Sequence, residues 1–245
     1  MRLKRYLNEA VINVNKGKLK AIRGYFIDAR ESYIENDKNM DELLKILPKV
    51  LGKLNKLFDR KIEFIIRDMN YKVMARAKPK DDLKTFEIVL NWNPYWLAGI
   101  WGNEKKFNKW FAEGMRTLEH ELIHIEQFQR IAKEKDPENA MNILKGIKSK
   151  SLDYDRIDGY LSDQLEIMTH AKTAELSLSN LKPEKINDLL KTDKGQKTLT
   201  KKSKSFKLYY EHIKGKYDKT WRRFLKYLYM YVDKRMGEAN EHKTA

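Results

Sequence analysis

No cysteine occurs among the 245 residues. Disulfides and thiolate ligands are thereby excluded, and any metal held by this chain must rest on histidine and carboxylate. Histidine itself is scarce, at five. Five prolines and eleven glycines are few interruptions for such a length, which leaves room for long helices. No run of 18 apolar residues is present, so no membrane span is expected. Arg2, Lys4 and Arg5 are not followed by an apolar stretch, so no secretion signal is expected. With cysteine missing as well, the expected setting is reducing and cytoplasmic.

Acidic residues are the minority charge. Against 35 Asp and Glu stand 51 Lys and Arg, a net charge of +16. A field of that sign steers anionic partners toward the chain: nucleic acid, an acidic protein surface or an acidic substrate. The excess is densest from Lys197 to Lys226, where eleven cations face only Glu211 and Asp218. Phe206, Tyr209, Tyr210, Tyr217, Trp221, Phe224 and Tyr227 interleave with them. Cations mixed with aromatics suit a nucleic-acid surface. However, Trp221, Phe224, Leu225, Leu228 and Val232 fall on one helical stripe, and such a stripe is a core pattern. The region therefore reads either as a surface for nucleic acid or an acidic protein, or as the solvated face of ordinary helices.

The stretch that carries chemistry is Arg116–Gln127, R-T-L-E-H-E-L-I-H-I-E-Q, with His120-Glu121-Leu122-Ile123-His124 inside it. Residues four apart share a helix face, so His120 and His124 can offer two imidazole nitrogens to one ion. Glu121 is then placed beside the ion, where a general base for a water is needed. Zinc suits such ligands. The surroundings are helical: Phe111, Met115, Leu118, Leu122 and Ile125 make an apolar ridge, and Thr117 and Gln127 share the opposite face with the histidines.

Two histidines leave a catalytic zinc site one protein ligand short. Position 130, where a third histidine of a longer motif would fall, is Arg130. The best source is the Pro-free stretch Tyr160–Glu175, read as one helix. Glu166, His170, Thr173 and Ser177 form a face of it, with Glu166 as the candidate ligand and His170 as a supporting partner or an alternative ligand.

Upstream, helical spacing predicts a first helix over Met1–Asn15, a second over Lys18–Tyr33 and a third over Asp41–Phe58, which Pro48 should kink or split. Period-two patterns follow around Ile62–Arg67, Tyr71–Ala77 and Phe86–Trp92, read as an antiparallel meander. Asn91–Gly102, with three tryptophans among Pro and Gly, reads as a loop. A short helix is expected at Glu138–Ile147.

His120–His124 followed by a helical E-I-x-x-x-A resembles the gluzincin clan of zinc metallopeptidases, and H-E-L-x-H-x-E-Q followed by Y-L-x-x-x-x-E-I-x-x-x-A is similar to small peptidase-like proteins of tailed bacteriophages. The resemblance covers about 60 residues. It implies zinc held by His120, His124 and Glu166, Glu121 as base, and Tyr160 as donor to the oxyanion, with Tyr209, Tyr210 and His212 as rivals. It also implies a sheet edge, expected at Phe86–Trp92, facing the motif helix and open to an extended peptide. Where the clan's usual pattern has an Asp one turn after the Glu ligand, this chain has His170.

The expected fold class is α+β: a mostly helical zincin-like domain over 1–180 with a small three-stranded antiparallel sheet before the motif helix, and a basic helical extension over 181–245. The expected function is zinc-dependent peptide-bond hydrolysis, with a peptide or protein substrate, in a host cytoplasm or a virion if phage-encoded. The alternative is a non-enzymatic basic virion or nucleic-acid-associated protein on the same scaffold.

Overall fold

The computed structural model describes residues 16–58, 61–67, 75–80, 85–134, 138–139, 142 and 157–244. The helix expected over Met1–Asn15, the residues around Asp68–Val73 and most of the helix expected at Glu138–Ile147 lie outside them. Two compact units are distinguished, one within Asn13–Met141 and one within Asn142–Ala245. The sequence reading drew its line at 180; the units part near residue 141, which groups Glu166 with the basic C-terminal helices.

The first unit opens with α1 (Lys16–Glu35) and α2 (Met40–Leu57). Asp37 and Lys38 turn the chain between them in the left-handed region, at φ 56° and 59°, and Asn39 caps α2 by accepting the Asp41 N–H at 2.8 Å. Leu43, Ile46, Leu47, Val50 and Leu54 bury one face of α2. The expected split at Pro48 does not occur: α2 runs through it. Pro48 lies on the exposed side, where the carbonyl it leaves unbonded can meet water, and buried residues on both sides of it hold the two halves in register.

β1 (Ile62–Arg67), β2 (Ala75–Pro79) and β3 (Phe86–Asn91) form a three-stranded sheet in the order β1-β3-β2. β1 is parallel to β3 and β2 antiparallel to it. The expected antiparallel meander is therefore corrected to a mixed sheet, and β3, expected at the edge, is central. Phe86 to Leu90 are buried at every position, as a strand covered on both sides requires. Glu87 is tolerated there because its cross-strand partner Lys78 pairs with it at 2.8 Å. β2 carries edge features instead: it is short, charged and ends on Pro79.

The stretch expected as an aromatic loop contains a helix, α3 (Pro94–Trp101). Asn93 accepts the Tyr95 and Trp96 N–H groups at 3.0 and 3.2 Å, and Pro94 sits in the first turn, where its missing N–H costs nothing. Trp92 and Trp101 are buried among Phe26, Phe107 and Trp110, while Tyr95 and Trp96 are exposed. The motif helix α4 (Glu104–Glu134) completes this unit and packs on β2 and α3.

The second unit is helical: α5 (Ile157–Ser162), α6 (Gln164–Ser177), α7 (Pro183–Leu190), α8 (Asp193–Thr200), α9 (Lys204–His212) and α10 (Asp218–Thr244). Tyr160–Glu175, read as one helix, is broken at Asp163, whose carboxylate caps α6 by accepting the Leu165 and Glu166 N–H groups. Leu165 and every residue from Ile167 to Glu175 are buried, so α6 is the unit's central helix. Lys172 and Arg235 of α10 share the buried Glu175 at 2.8 and 3.0 Å, and Arg235 also donates to the Leu181 carbonyl. Tyr209 stacks on Phe224 with ring centres 4.2 Å apart. Gly195 leaves no room for a side chain, since a Cβ there would lie 2.7 Å from Leu189 Cα. No helix among the described residues is long and apolar enough to cross a membrane.

Candidate metal centre

α4 positions the two histidines. Their spacing puts them on one face, and the Nε2 atoms stand 3.1 Å apart, the rings crossing at 78°. Two nitrogens bound at about 2.0–2.1 Å to one tetrahedral ion would be about 3.3–3.4 Å apart, so the observed pair fits a shared ion with little movement. His124 is buried at 7% exposure and stacks on Phe128.

Gln127 decides which nitrogen of His124 carries the proton. Its Oε1 lies 2.9 Å from His124 Nδ1, and Gln127 is itself buried. An amide oxygen only accepts, so Nδ1 carries the proton and donates it. Nε2 is then left with its lone pair, as a metal ligand needs.

Glu121 is held from the sheet. Its Oε2 accepts the Ala77 N–H of β2 at 2.6 Å. One and two helical turns earlier, Thr117 and Gly114 line an apolar pocket of about 20 Å³ with Ala75, Leu90, Trp92 and Trp110. That is space for roughly one water-sized group.

In the second unit, Glu166 stands in the first turn of α6, where the helix dipole favours a carboxylate. His170 Nε2 lies 3.9 Å from Glu166 Oε2 and 3.2 Å from the Tyr160 hydroxyl, and its Nδ1 lies 3.4 Å from Ser205 Oγ. Of the rivals to Tyr160, Tyr209 gives its proton to the Leu161 carbonyl at 2.9 Å. Burial, reinforced by Glu166 and Asp163, pushes that phenol well above its usual range. Tyr210 reaches Asp193 at 3.5 Å.

His120, His124 and Glu166 each offer one ligand atom, and these atoms all lie within 4.8 Å of one another. The three residues could hold a metal ion, and their donor set is the one that a cysteine-free chain leaves available. The spacing of the histidines and the choice of Glu166 were legible in the sequence. The Gln127 contact was legible in principle, because i and i+3 face each other on a helix. The Ala77 contact was not, since it is made by a main-chain group with no side-chain signature.

The basic C-terminal helices divide by side. Phe206, Tyr209, Trp221, Phe224 and Tyr227 are buried, whereas Lys219, Arg222, Arg223 and Lys226 lie exposed along α10. Of the interleaved aromatics these five are core, whereas Tyr210 is half-buried and Tyr217 exposed.

No protein-family model matches this chain, no curated protein matches it, and no solved structure matches it.

Proposed function

We propose that this chain is a zinc-dependent metallopeptidase of the gluzincin type, hydrolysing a peptide or protein substrate. The observation that carries the reading is the convergence of His120, His124 and Glu166 ligand atoms within 4.8 Å, with a carboxylate at the position next to His120. Zinc, when bound, polarises a carbonyl as a Lewis acid and makes a water in the site more acidic.

The chain's own residues supply the rest. His120 and His124 present their Nε2 atoms, the second fixed as the acceptor tautomer by Gln127. Glu166 contributes the negative charge that offsets the ion. Glu121 takes a proton from the attacking water and returns it to the leaving amine, its Oε2 steadied by Ala77. Tyr160 is the donor assigned to the oxyanion, held through its hydroxyl contact with His170. His170 thereby supports both Tyr160 and Glu166 rather than binding the ion. The missing cysteines suit work in a reducing compartment, a host cytoplasm included.

The test is zinc stoichiometry and peptidase rate in wild type, His120→Ala and Glu121→Gln. His120→Ala should lose the ion. Glu121→Gln should keep it and lose about 10²–10⁴ in rate, the contribution of a general base. Equal rates in wild type and Glu121→Gln would sink the mechanism. A metal-free chain that binds duplex DNA with steep salt dependence through its exposed cations would favour the non-enzymatic reading instead.

A further inference from the structure

We propose that the outer face of α10 is a docking surface for the phosphate backbone of a nucleic-acid duplex. This goes beyond the metallopeptidase reading and needs no metal, since every residue of the surface lies in the helical unit.

Lys219, Arg222, Arg223 and Lys226 follow the i, i+3, i+4, i+7 spacing that puts residues on one helix face. All four are exposed. The core stripe of the same helix, Trp221, Phe224, Leu228 and Val232, is buried on the opposite side. The cations therefore form a row about 10.5 Å long on a helical support.

The row is uncompensated, unlike other cations of this unit. Lys191 pairs with Asp188 at 3.0 Å, Lys207 with Glu211 at 3.7 Å, and Lys214 with Asp193. Among the described residues no ion pair joins a member of the row to a carboxylate, and Asp218, one turn before Arg222, does not pair with it either. Lys219–Arg222, Lys219–Arg223, Arg222–Lys226 and Arg223–Lys226 are instead like-charge pairs three or four residues apart, which repel. Lys219 also stands in the first turn of α10, where the helix dipole disfavours a cation. The helix thus keeps an arrangement that is locally unfavourable, and an anionic partner is what offsets it.

The partner's chemistry follows from what the row offers. Trp221 and Phe224, the aromatics inside it, are buried, so the row holds no ring for the bases of a single strand to stack on. Leu225 is half-buried, and no exposed apolar side chain stands between the cations to anchor a protein partner. Charge at close, regular spacing remains. A duplex carries one negative charge per about 1.7 Å of its axis, enough to meet all four cations over this length. Arg222 and Arg223 can each grip a phosphate through two parallel N–H bonds. Contacts of this kind position a duplex without reading its sequence.

The test is binding of the full-length chain to a short random-sequence duplex, followed by fluorescence anisotropy over a range of salt. Four phosphate contacts should weaken binding by about 100-fold between about 50 and 200 mM salt. Lys219→Gln/Arg222→Gln/Arg223→Gln/Lys226→Gln should bind about 100-fold more weakly or worse at the low-salt end, with a salt slope shallower by about 3–4. Arg222→Lys/Arg223→Lys keeps the charge and should keep the slope. The control Lys45→Gln/Lys49→Gln/Lys53→Gln/Lys56→Gln removes the same net charge from exposed positions of α2, where Lys45 is already paired with Glu42 at 3.4 Å and Lys53 lies 5.3 Å over the Tyr25 ring. It should stay within about threefold of wild type. Thermal unfolding separates docking from structure: with the repulsion relieved, the α10 variant should melt no lower than wild type.

An unchanged slope in the α10 variant, or a loss that the α2 control matches, overturns the proposal. A melting point well below wild type does so too, since it assigns the row a structural role. Tighter binding to the single strand than to the duplex, or equal binding to polyglutamate, gives the face to another partner. DNA and RNA duplexes bound alike support the shared backbone as ligand, and a preference between them names its source. A chain that binds no duplex loses this face and leaves the peptidase reading standing; one that binds duplex but holds no zinc does the reverse.

Discussion

Replacing Gln127 with Leu deletes the acceptor that holds the His124 proton on Nδ1 while keeping the volume similar. Both residues are buried, at 4% and 7% exposure, and their contact is 2.9 Å. A buried N–H left without a partner costs about 1–3 kcal/mol. The metal-free protein can escape most of that cost, because the imidazole can move its proton to Nε2 and point it at His120 Nε2, 3.1 Å away. The metal-bound protein has no such escape, since Nε2 must then be bare. The difference falls on affinity, so zinc binding should weaken about 10–100-fold, the usual range for an outer partner of a metal-bound histidine. Gln127→Glu keeps an acceptor in place and should bind zinc as well as wild type or better. Competition with a chromophoric chelator at fixed pH measures both, with circular dichroism as the check on folding. The reasoning is refuted if Gln127→Leu stays within about twofold of wild type, or if Gln127→Glu loses as much as Gln127→Leu.

Two further expectations concern the helical unit. Gly195→Ala drives a Cβ into the Leu189 backbone, which cannot yield as a flexible side chain can; a loss of about 2–4 kcal/mol in urea unfolding is expected, and an unchanged midpoint would contradict the packing described. Tyr209 has its phenol pushed up by burial first and by Glu166 and Asp163 next. The unfolded phenol ionises near pH ~10 while the folded one keeps its proton, so stability is full below that pH and declines above it. Tyr209→Phe should flatten part of that alkaline decline while losing about 1 kcal/mol at neutral pH for the Leu161 bond; a decline of unchanged steepness would assign it to other groups.

The sequence carried the motif helix well because a 31-residue helix with a ridge of Met115, Leu118, Leu122 and Ile125 is a strong periodic signal. The edge place expected for β3 is overturned, although F-E-I-V-L is close to a continuous apolar run, the mark of a strand covered on both faces. The antiparallel expectation came from assuming that consecutive strands pair, and β1 and β2 do not. Pro94 was read as a loop signal when, behind the capping Asn93, it opens a helix. Asp163 starts a new helix within a stretch free of Pro and Gly, because its carboxylate caps the N–H groups of Leu165 and Glu166. Pro48 was given too much weight, since local chemistry predicts a break and burial on both sides of it overrides that cost. What no residue pattern could announce is the Ala77 contact, because it depends on which way an edge strand's nitrogens face.

The Lys172–Glu175–Arg235 cluster has a mechanical consequence. Glu166 and Glu175 stand near the two ends of α6, nine residues and about 13.5 Å apart along one stiff rod. The far end of that rod is clamped by Arg235 of α10. A cut that removes Arg235 would therefore loosen the far end of the rod whose first turn carries Glu166. In this unit the C-terminal helix acts as the handle by which the ligand helix is held to its angle.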